Sequence, residues 1–401
     1  MDHKYVIVGG GLAAASAVEG IRRQDADGGI LMLARENFEP YHRPPLSKDL
    51  WFGKSTKDKL PVHDAAFYRD QRVEIQLRRE AVEVDAGRHL VWDERGVELG
   101  YGRLLLATGG RPRRLSVEGA DVAGVHYFRD LEDYLYLERR LERFEHALVI
   151  GGGFNGMEMA AALRHAGKEV TLLYDKEYPL HRVLPRDLAL FVADYYREHG
   201  IETVSEDQVT AFEEGEGLIQ AQTANGGVIT TQTVLVGIGI EPEADLAEAA
   251  GLDVEDGIVV DEFARTTDPD IYAAGDVARY PCVPLQRSLR VEHWDHAIQQ
   301  GRCAGFNMAG GVEPYEGIPY FFSDLFDLGF EAVGELDPTL TVEPVWREPN
   351  REGVVYYLRE DVVRGVLLWN TWGAVDWARG LVREARVMTR EERAAAVPPK
   401  A

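Results

Sequence analysis

Two copies of one glycine pattern limit how this chain can fold. In His146–Ala162 an apolar run, Ala147–Ile150, breaks at Gly151-Gly152-Gly153 and passes into an Ala- and Met-rich segment of helical character. Gly151-x-Gly153-x-x-Gly156 thus lies between a strand and a helix, the setting in which this spacing marks a dinucleotide-binding turn. The glycines allow a sharp turn and close approach to a pyrophosphate, whose charge meets the unpaired N–H groups of the helix start. A second copy lies near the start of the sequence, where Lys4–Glu19 carries Gly9-x-Gly11-x-x-Ala14 in the same strand–turn–helix setting. One such turn is weak evidence. Two in 401 residues point to two dinucleotides, with Glu158 just past the second turn a candidate for where they meet.

A chain 45% hydrophobic and 28% charged has the balance of a globular protein, and its length allows two or three domains. No apolar run approaches the ~20 residues of a bilayer-crossing helix. Strand-like sequence from Lys4 leaves no room for a signal or transit peptide, so the expected compartment is the cytoplasm. A formal charge of −24 argues against nucleic acid as a partner, because such affinity comes largely from neutralising phosphates. Local arginines (Arg111, Arg113 and Arg114; Arg139, Arg140 and Arg143) could dock a small acidic protein, although solvated faces are the plainer reading. The two cysteines, Cys282 and Cys303, form neither a disulfide framework nor the close pair of a dithiol redox site. No metal site is expected.

After the first glycine turn, Ile30–Ala34 is the expected second strand. An acid roughly 20 residues past the glycines binds the adenosine ribose in this fold, which nominates Glu36, with Arg35 in the slot before it. Pro40–Trp51 holds two prolines flanked by Arg43 and Lys48. Two cations on a stiff loop suit a pyrophosphate or a flavin ring, but alone the loop reads as a surface turn. Leu104–Arg111 is an apolar strand whose end brings Thr108 and Gly109 close to a ligand. Val125–Leu141 reads as a charged helical segment leading to the second glycine turn. Val170–Leu173 is that lobe's second strand, with Asp175 or Glu177 as its ribose acid. Thr233–Ile240 returns the chain through Gly239, and Glu241-Pro242 marks a boundary. Ile258–Ala278 contains a strand ending at Gly275-Asp276, where an Asp can bond ribityl or ribose hydroxyls. Arg290–Met308 has helical spacing and begins with Glu292, His293 and Trp294. Its positive N-terminal end suits the negative pyrimidine edge of a reduced flavin. Past Gly310-Gly311, Phe330–Leu336, Thr339–Val345, Gly353–Leu358 and Val362–Leu368 read as strands, Trp372–Arg383 as a closing helix, and the tail after Arg390 as frayed.

Taken in order, RPPLSK (Arg43–Lys48), LLLATGGRPR (Leu104–Arg113), GGGFNGME (Gly151–Glu158), VGIGIEPE (Val236–Glu243), IYAAGDVA (Ile271–Ala278) and VEHWDHAIQQGRCAG (Val291–Gly305) resemble the FAD-dependent pyridine-nucleotide oxidoreductases. The likeness is to the branch of ferredoxin and rubredoxin reductases and apoptosis-inducing factor, and Val354–Asn370 is most similar to the latter. It implies an α/β chain with two Rossmann-like dinucleotide-binding domains, for FAD and NAD(P), and a C-terminal mixed α/β domain. The FAD domain would be discontinuous, 1–112 and 241–310, the NAD(P)H domain 113–240 and the C-terminal domain 311–401. By matching motifs, Gly9, Gly11, Ala14, Arg43, Lys48, Asp276, His293 and Trp294 would contact FAD, as would Arg129 of FRDLE. Phe154 matches an aromatic against the nicotinamide, Glu158 the acid paired with the RPPLSK lysine, and Phe322 of YFFSD a Trp near the flavin. Arg35 departs from the family by standing where the ribose-binding Glu usually is.

The resemblance implies hydride transfer from NAD(P)H to FAD, with Lys48 and Glu158 as the catalytic pair beside the flavin. NADH is expected over NADPH because Asp175 and Glu177 would repel a 2′-phosphate, but Lys176 between them leaves NADP(H) open. Electrons would pass to a small ferredoxin or rubredoxin, a quinone or oxygen. The alternative is a slow redox sensor holding a stable reduced flavin–NAD complex, with a homodimer among its states.

Overall fold

The computed structural model describes residues 2–398, in two compact units. One comprises Met1–His42, Asp58–Arg111 and Pro242–Phe321; the other Arg43–Lys57, Pro112–Glu241 and Phe322–Ala401. Among the described residues no helix is long and apolar enough to cross a membrane.

The first unit is built on parallel strands in the order Val73–Leu77, Ile30–Ala34, Asp2–Val8, Glu98–Leu106 and Ile271–Ala273. Unbroken apolar runs such as Ile30–Ala34, buried at every position, are what strands covered on both faces require. An antiparallel meander, Ala81–Asp85 and Leu90–Asp93, extends the sheet from Glu98–Leu106. The helices Leu12–Gln24 and Trp294–Met308 pack on each other through small residues. A Cβ on Gly305 would lie 2.0 Å from the Ala17 carbonyl oxygen, so the backbones approach as only glycine permits.

The second unit holds a five-stranded parallel sheet, Ile201–Val204, Glu169–Leu173, His146–Ile150, Thr233–Val236 and Val125–Tyr127 in order. The stretch Val125–Leu141, expected to be helical throughout, divides. Val125–Tyr127 is the edge strand, and the helix Leu131–Arg140 starts only after Asp130, which forms a reciprocal capping box with Asp133. A three-stranded antiparallel sheet, Val209–Gly215, Leu218–Thr223 and Val228–Thr231, belongs to the same unit.

The C-terminal sheet runs Tyr320–Leu325, Leu328–Gly334, Val362–Trp369, Glu352–Arg359 and Thr341–Glu348. The helix Val375–Glu384 packs on it. Phe326 stacks on His199 with ring centroids 4.4 Å apart and meets Tyr196 edge-on at 5.2 Å. The Tyr357 hydroxyl donates to the Val183 carbonyl at 2.6 Å. These contacts tie the C-terminal sheet to the nucleotide lobe.

Among the described residues the tail after Arg390 is not frayed. Arg390–Ala395 is a helix with a Thr389/Glu392 capping box. Arg393 is only 2% exposed; its Nη2 lies 2.8 Å from Glu343 Oε2, and its carbonyl accepts from Tyr356 at 2.9 Å. One buried cation inside a charged run is indistinguishable from its solvated neighbours in the sequence alone. Arg393→Ala should leave Glu343 without its main partner and cost about 1–3 kcal/mol. Hydrogen exchange should then show the Arg390–Ala395 amides losing protection while the strands of the sheet keep theirs.

Candidate functional site

In the first unit the chain leaves Asp2–Val8 through Gly9, whose φ is +125°. A Cβ there would stand 2.1 Å from the Ala107 carbonyl oxygen, so the turn excludes any larger residue. Gly11 caps the helix Leu12–Gln24 without any side-chain hydrogen bond, and a Cβ on it would meet nothing within 4 Å. The helix start thus faces open space through bare backbone, which fits a pyrophosphate. Ala14, in place of a third glycine, is buried in the core.

Residues from three strand ends and one helix start join this cradle's lobe. Half-buried Glu36 accepts from the Tyr41 hydroxyl at 2.6 Å. Exposed Arg35 is held by Glu243 at 2.9 Å and Glu80 at 3.6 Å, so its guanidinium is already engaged by two carboxylates. Thr108 donates to the Glu243 carbonyl at 2.7 Å, and the Gly109 carbonyl accepts from Glu243 N–H at 3.0 Å. Gly275 donates its N–H to Gln300 Oε1 at 2.8 Å, and the Asp276 carbonyl accepts from Arg290 at 3.1 Å. Glu292 pairs with Arg290 at 2.6 Å. His293 caps the helix Trp294–Met308 and stacks on Phe321 at 4.4 Å; burial pushes its imidazole down to about 4, so it is neutral at pH 7. Trp294 donates its indole N–H to His42 Nδ1 at 3.0 Å. Burial also lowers His42 from its usual value.

The second unit repeats the cradle. Gly151 has φ +121°, and a Cβ on it would lie 2.3 Å from the Gly237 carbonyl oxygen. Gly153 caps the helix Phe154–His165 with no side-chain bond and open space beyond it, while a Cβ on Gly156 would strike the Gly151 carbonyl oxygen at 1.9 Å. Phe154 opens the helix with its ring 6.1 Å from that of Phe330. Past Glu169–Leu173, Asp175 pairs with Lys176 at 3.0 Å and Glu177 receives Arg186 Nε at 3.2 Å. The Gly239 carbonyl accepts from Arg113 N–H at 3.0 Å.

In the same unit lies a buried ion pair. Lys48 Nζ is 3.0 Å from Glu158 Oε1, with both side chains less than a tenth exposed. Ser323 Oγ donates to Oε1 at 2.7 Å and Ser47 Oγ to Oε2 at 2.6 Å. Lys48 also donates to the Phe322 carbonyl at 3.3 Å, and its ammonium lies 4.2 Å from the Phe322 ring centroid. Arg43 donates to the Arg129 carbonyl at 3.2 Å. Lys48, Glu158 and Phe322 therefore come together, as do Arg43 and Arg129. Ser47 and Ser323 stood inside quoted motifs, yet a serine carries no signal of its own in a single sequence. Both cysteines are buried; the Cys303 thiol is pushed up to about 12 by burial and by nearby Glu313, so it is not a reactive thiolate at neutral pH.

The description pyridine nucleotide-disulphide oxidoreductase belongs to a family model that matches residues 3–301. The rubredoxin-NAD(+) reductase of Pseudomonas putida is 34% identical over 332 residues, 82% of this chain and 86% of the relative. The mitochondrial apoptosis-inducing factor 1 of Dictyostelium discoideum is 31% identical over 425 residues, 96% of this chain and 79% of the relative. A solved covalent putidaredoxin reductase–putidaredoxin complex matches with TM-score 0.91 and 31% identity, covering 97% of this chain and 95% of that one.

One acid near the second cradle titrates unusually. Asp133 Oδ2 accepts from the N–H groups of Arg129 and Asp130, and burial with the neighbouring Asp130 charge pushes it up from 3.8 to about 6. The folded state binds this proton more tightly than the unfolded one. The associated stability is complete below the unfolded value and is lost as pH rises through about 6. Asp133→Asn should therefore show a smaller fall in melting temperature than the parent between about pH 4 and 7, by scanning calorimetry.

Proposed function

Since the chain belongs to the pyridine nucleotide-disulphide oxidoreductase family, we propose that it takes a hydride from NADH onto FAD and passes the electrons to a small ferredoxin or rubredoxin. FAD, when bound, supplies the step between a two-electron donor and a one-electron acceptor. The first cradle would hold the FAD pyrophosphate at Gly9, Gly11 and the start of Leu12–Gln24, with Glu36 and Asp276 for hydroxyl groups. The second would hold NADH through Gly151, Gly153 and Gly156, with Phe154 at the nicotinamide and Asp175 at the adenosine ribose. Glu177 is engaged by Arg186, which leaves Asp175 and Lys176 as the pair that sets preference at the ribose.

The observation that carries this reading is the buried pair of Lys48 with Glu158, the latter on the second cradle's own helix. A cation ~4 Å from developing negative charge is worth roughly 4 kcal/mol at an effective dielectric near 20. Lys48 would favour reduction in this way, with Glu158 holding it in place. Two buried, separate cysteines give electrons no disulphide route, which favours an external acceptor such as the one named for the rubredoxin reductase. With a formal charge of −24 an acidic partner gains no long-range steering, so docking would rest on local contacts within a Debye length of ~8 Å. Action in the cytoplasm belongs to the same proposal. A redox sensor, associating as a homodimer, is the second reading, favoured by the apoptosis-inducing factor's likeness across 96% of the chain.

The test is anaerobic single-turnover reduction of the FAD-loaded protein by NADH. Lys48→Ala and Glu158→Ala should each slow reduction about 10–100-fold, with the double variant losing less than the product of the two. With NADPH, kcat/KM should be lower than with NADH. Additive losses, or rates within about twofold of the parent, would contradict cooperation at the flavin.

A further inference from the structure

We propose that Ser323 is a positioning residue for the Lys48–Glu158 pair, holding the Glu158 carboxylate aligned on Lys48; this rests on the reading of that pair given above. A carboxylate this deeply buried needs hydrogen bonds to its oxygens to offset its lost hydration. Glu158 has about four acceptor sites, and three donors reach them: Lys48 and Ser323 at Oε1, Ser47 at Oε2. Both serines donate. Ser47 comes from the Lys48 loop itself and is one residue from the lysine. Ser323 lies 276 positions beyond Ser47, next to Phe322, and Phe322 contributes the carbonyl that holds the other end of the pair.

Two consecutive residues of the Tyr320–Leu325 strand thus address both partners. Phe322 O receives the ammonium at 3.3 Å, and Ser323 Oγ supplies the carboxylate at 2.7 Å. Ser323 is fully buried, so water does not replace its hydroxyl when it is lost. Without that donor Oε1 retains Lys48 alone, and the carboxylate can turn away from its line to the ammonium. Once it turns, Lys48 is no longer held between Glu158 and Phe322. Ser323 would then act on hydride transfer through Glu158, without touching either nucleotide.

Ser323→Ala, Ser323→Thr and Ser47→Ala are compared with Glu158→Ala in anaerobic reduction by NADH. Isotope-edited infrared of the FAD-free protein, labelled at glutamate and referenced to Glu158→Ala, reads the Glu158 carboxyl directly. Ser323→Ala should slow reduction about tenfold, while Ser323→Thr restores the parental rate. In the FAD-free protein the Glu158 carboxylate stretching band should shift as Oε1 loses its hydroxyl donor, and Ser323→Thr should return it. If Glu158→Ala is slow but Ser323→Ala keeps the parental rate, the inference fails and the reading of the pair stands. If Glu158→Ala itself reduces at the parental rate, the reading of the pair fails, and an unchanged infrared band in Ser323→Ala would overturn the inference separately. Should Ser323→Ala not fold, Ser47→Ala puts the same question through the other oxygen, with a parental rate and band counting against it.

Discussion

Burying a lysine and a glutamate removes two charges from water, at a cost of several kcal/mol each that only close pairing and further hydrogen bonds offset. Much of the second unit's local structure answers that demand. Lys48 and Ser47 arrive on the 43–57 segment, Glu158 on the helix of the second glycine turn, and Phe322 with Ser323 on the first strand of the C-terminal sheet. The segment is anchored by aromatic contacts of its own: Phe52 stacks on His165 at 4.4 Å and Trp51 meets Tyr134 edge-on at 5.2 Å. The outer ion pair Lys57–Glu138, half-exposed at 2.8 Å, adds little by comparison. An ion pair this enclosed is weak evidence for stability. Glu158's place on the helix that follows the second glycine turn makes the pair a candidate for chemistry.

The two glycine cradles differ from that pair in kind. They are made of bare backbone, open at Gly11 and Gly153 and closed behind by Ala107 and Gly237 carbonyls. Such cradles bind phosphate groups but do no redox work themselves, so the reactive groups must come from the cofactors. In this chain Cys282 and Cys303 are buried and lack the close spacing of a dithiol redox pair. Its relatives named as rubredoxin and putidaredoxin reductases offer the better guide to where electrons go.

Legibility in the sequence tracked how local the physics is. Both glycine turns, the Ile30–Ala34 strand and the Trp294–Met308 helix could be placed from spacing alone, because each is dictated by neighbours within a few residues. The split of Val125–Leu141 was hidden, since a three-residue edge strand leaves almost no periodic trace and Asp130 looks like any surface acid until it caps a helix. Arg393 and Phe326 were hidden for a different reason. Their packing is created by partners dozens of residues away, Glu343 for one and His199 with Tyr196 for the other. At the candidate site, Lys48 and Glu158 were named through family motifs, and nothing in their own surroundings required them to meet. Ser323 shows the limit most plainly: its meaning lies wholly in a contact across 165 residues.

The most direct measurement is anaerobic stopped-flow mixing of the NADH-reduced, FAD-loaded protein with a rubredoxin, a [2Fe–2S] ferredoxin, a quinone and oxygen in parallel. The expected result is rapid reoxidation by one of the small electron-transfer proteins, at a rate saturating with its concentration and faster than with quinone or oxygen. A reduced state that outlasts every acceptor, while the protein changes its association state, would contradict the reductase and establish the sensor.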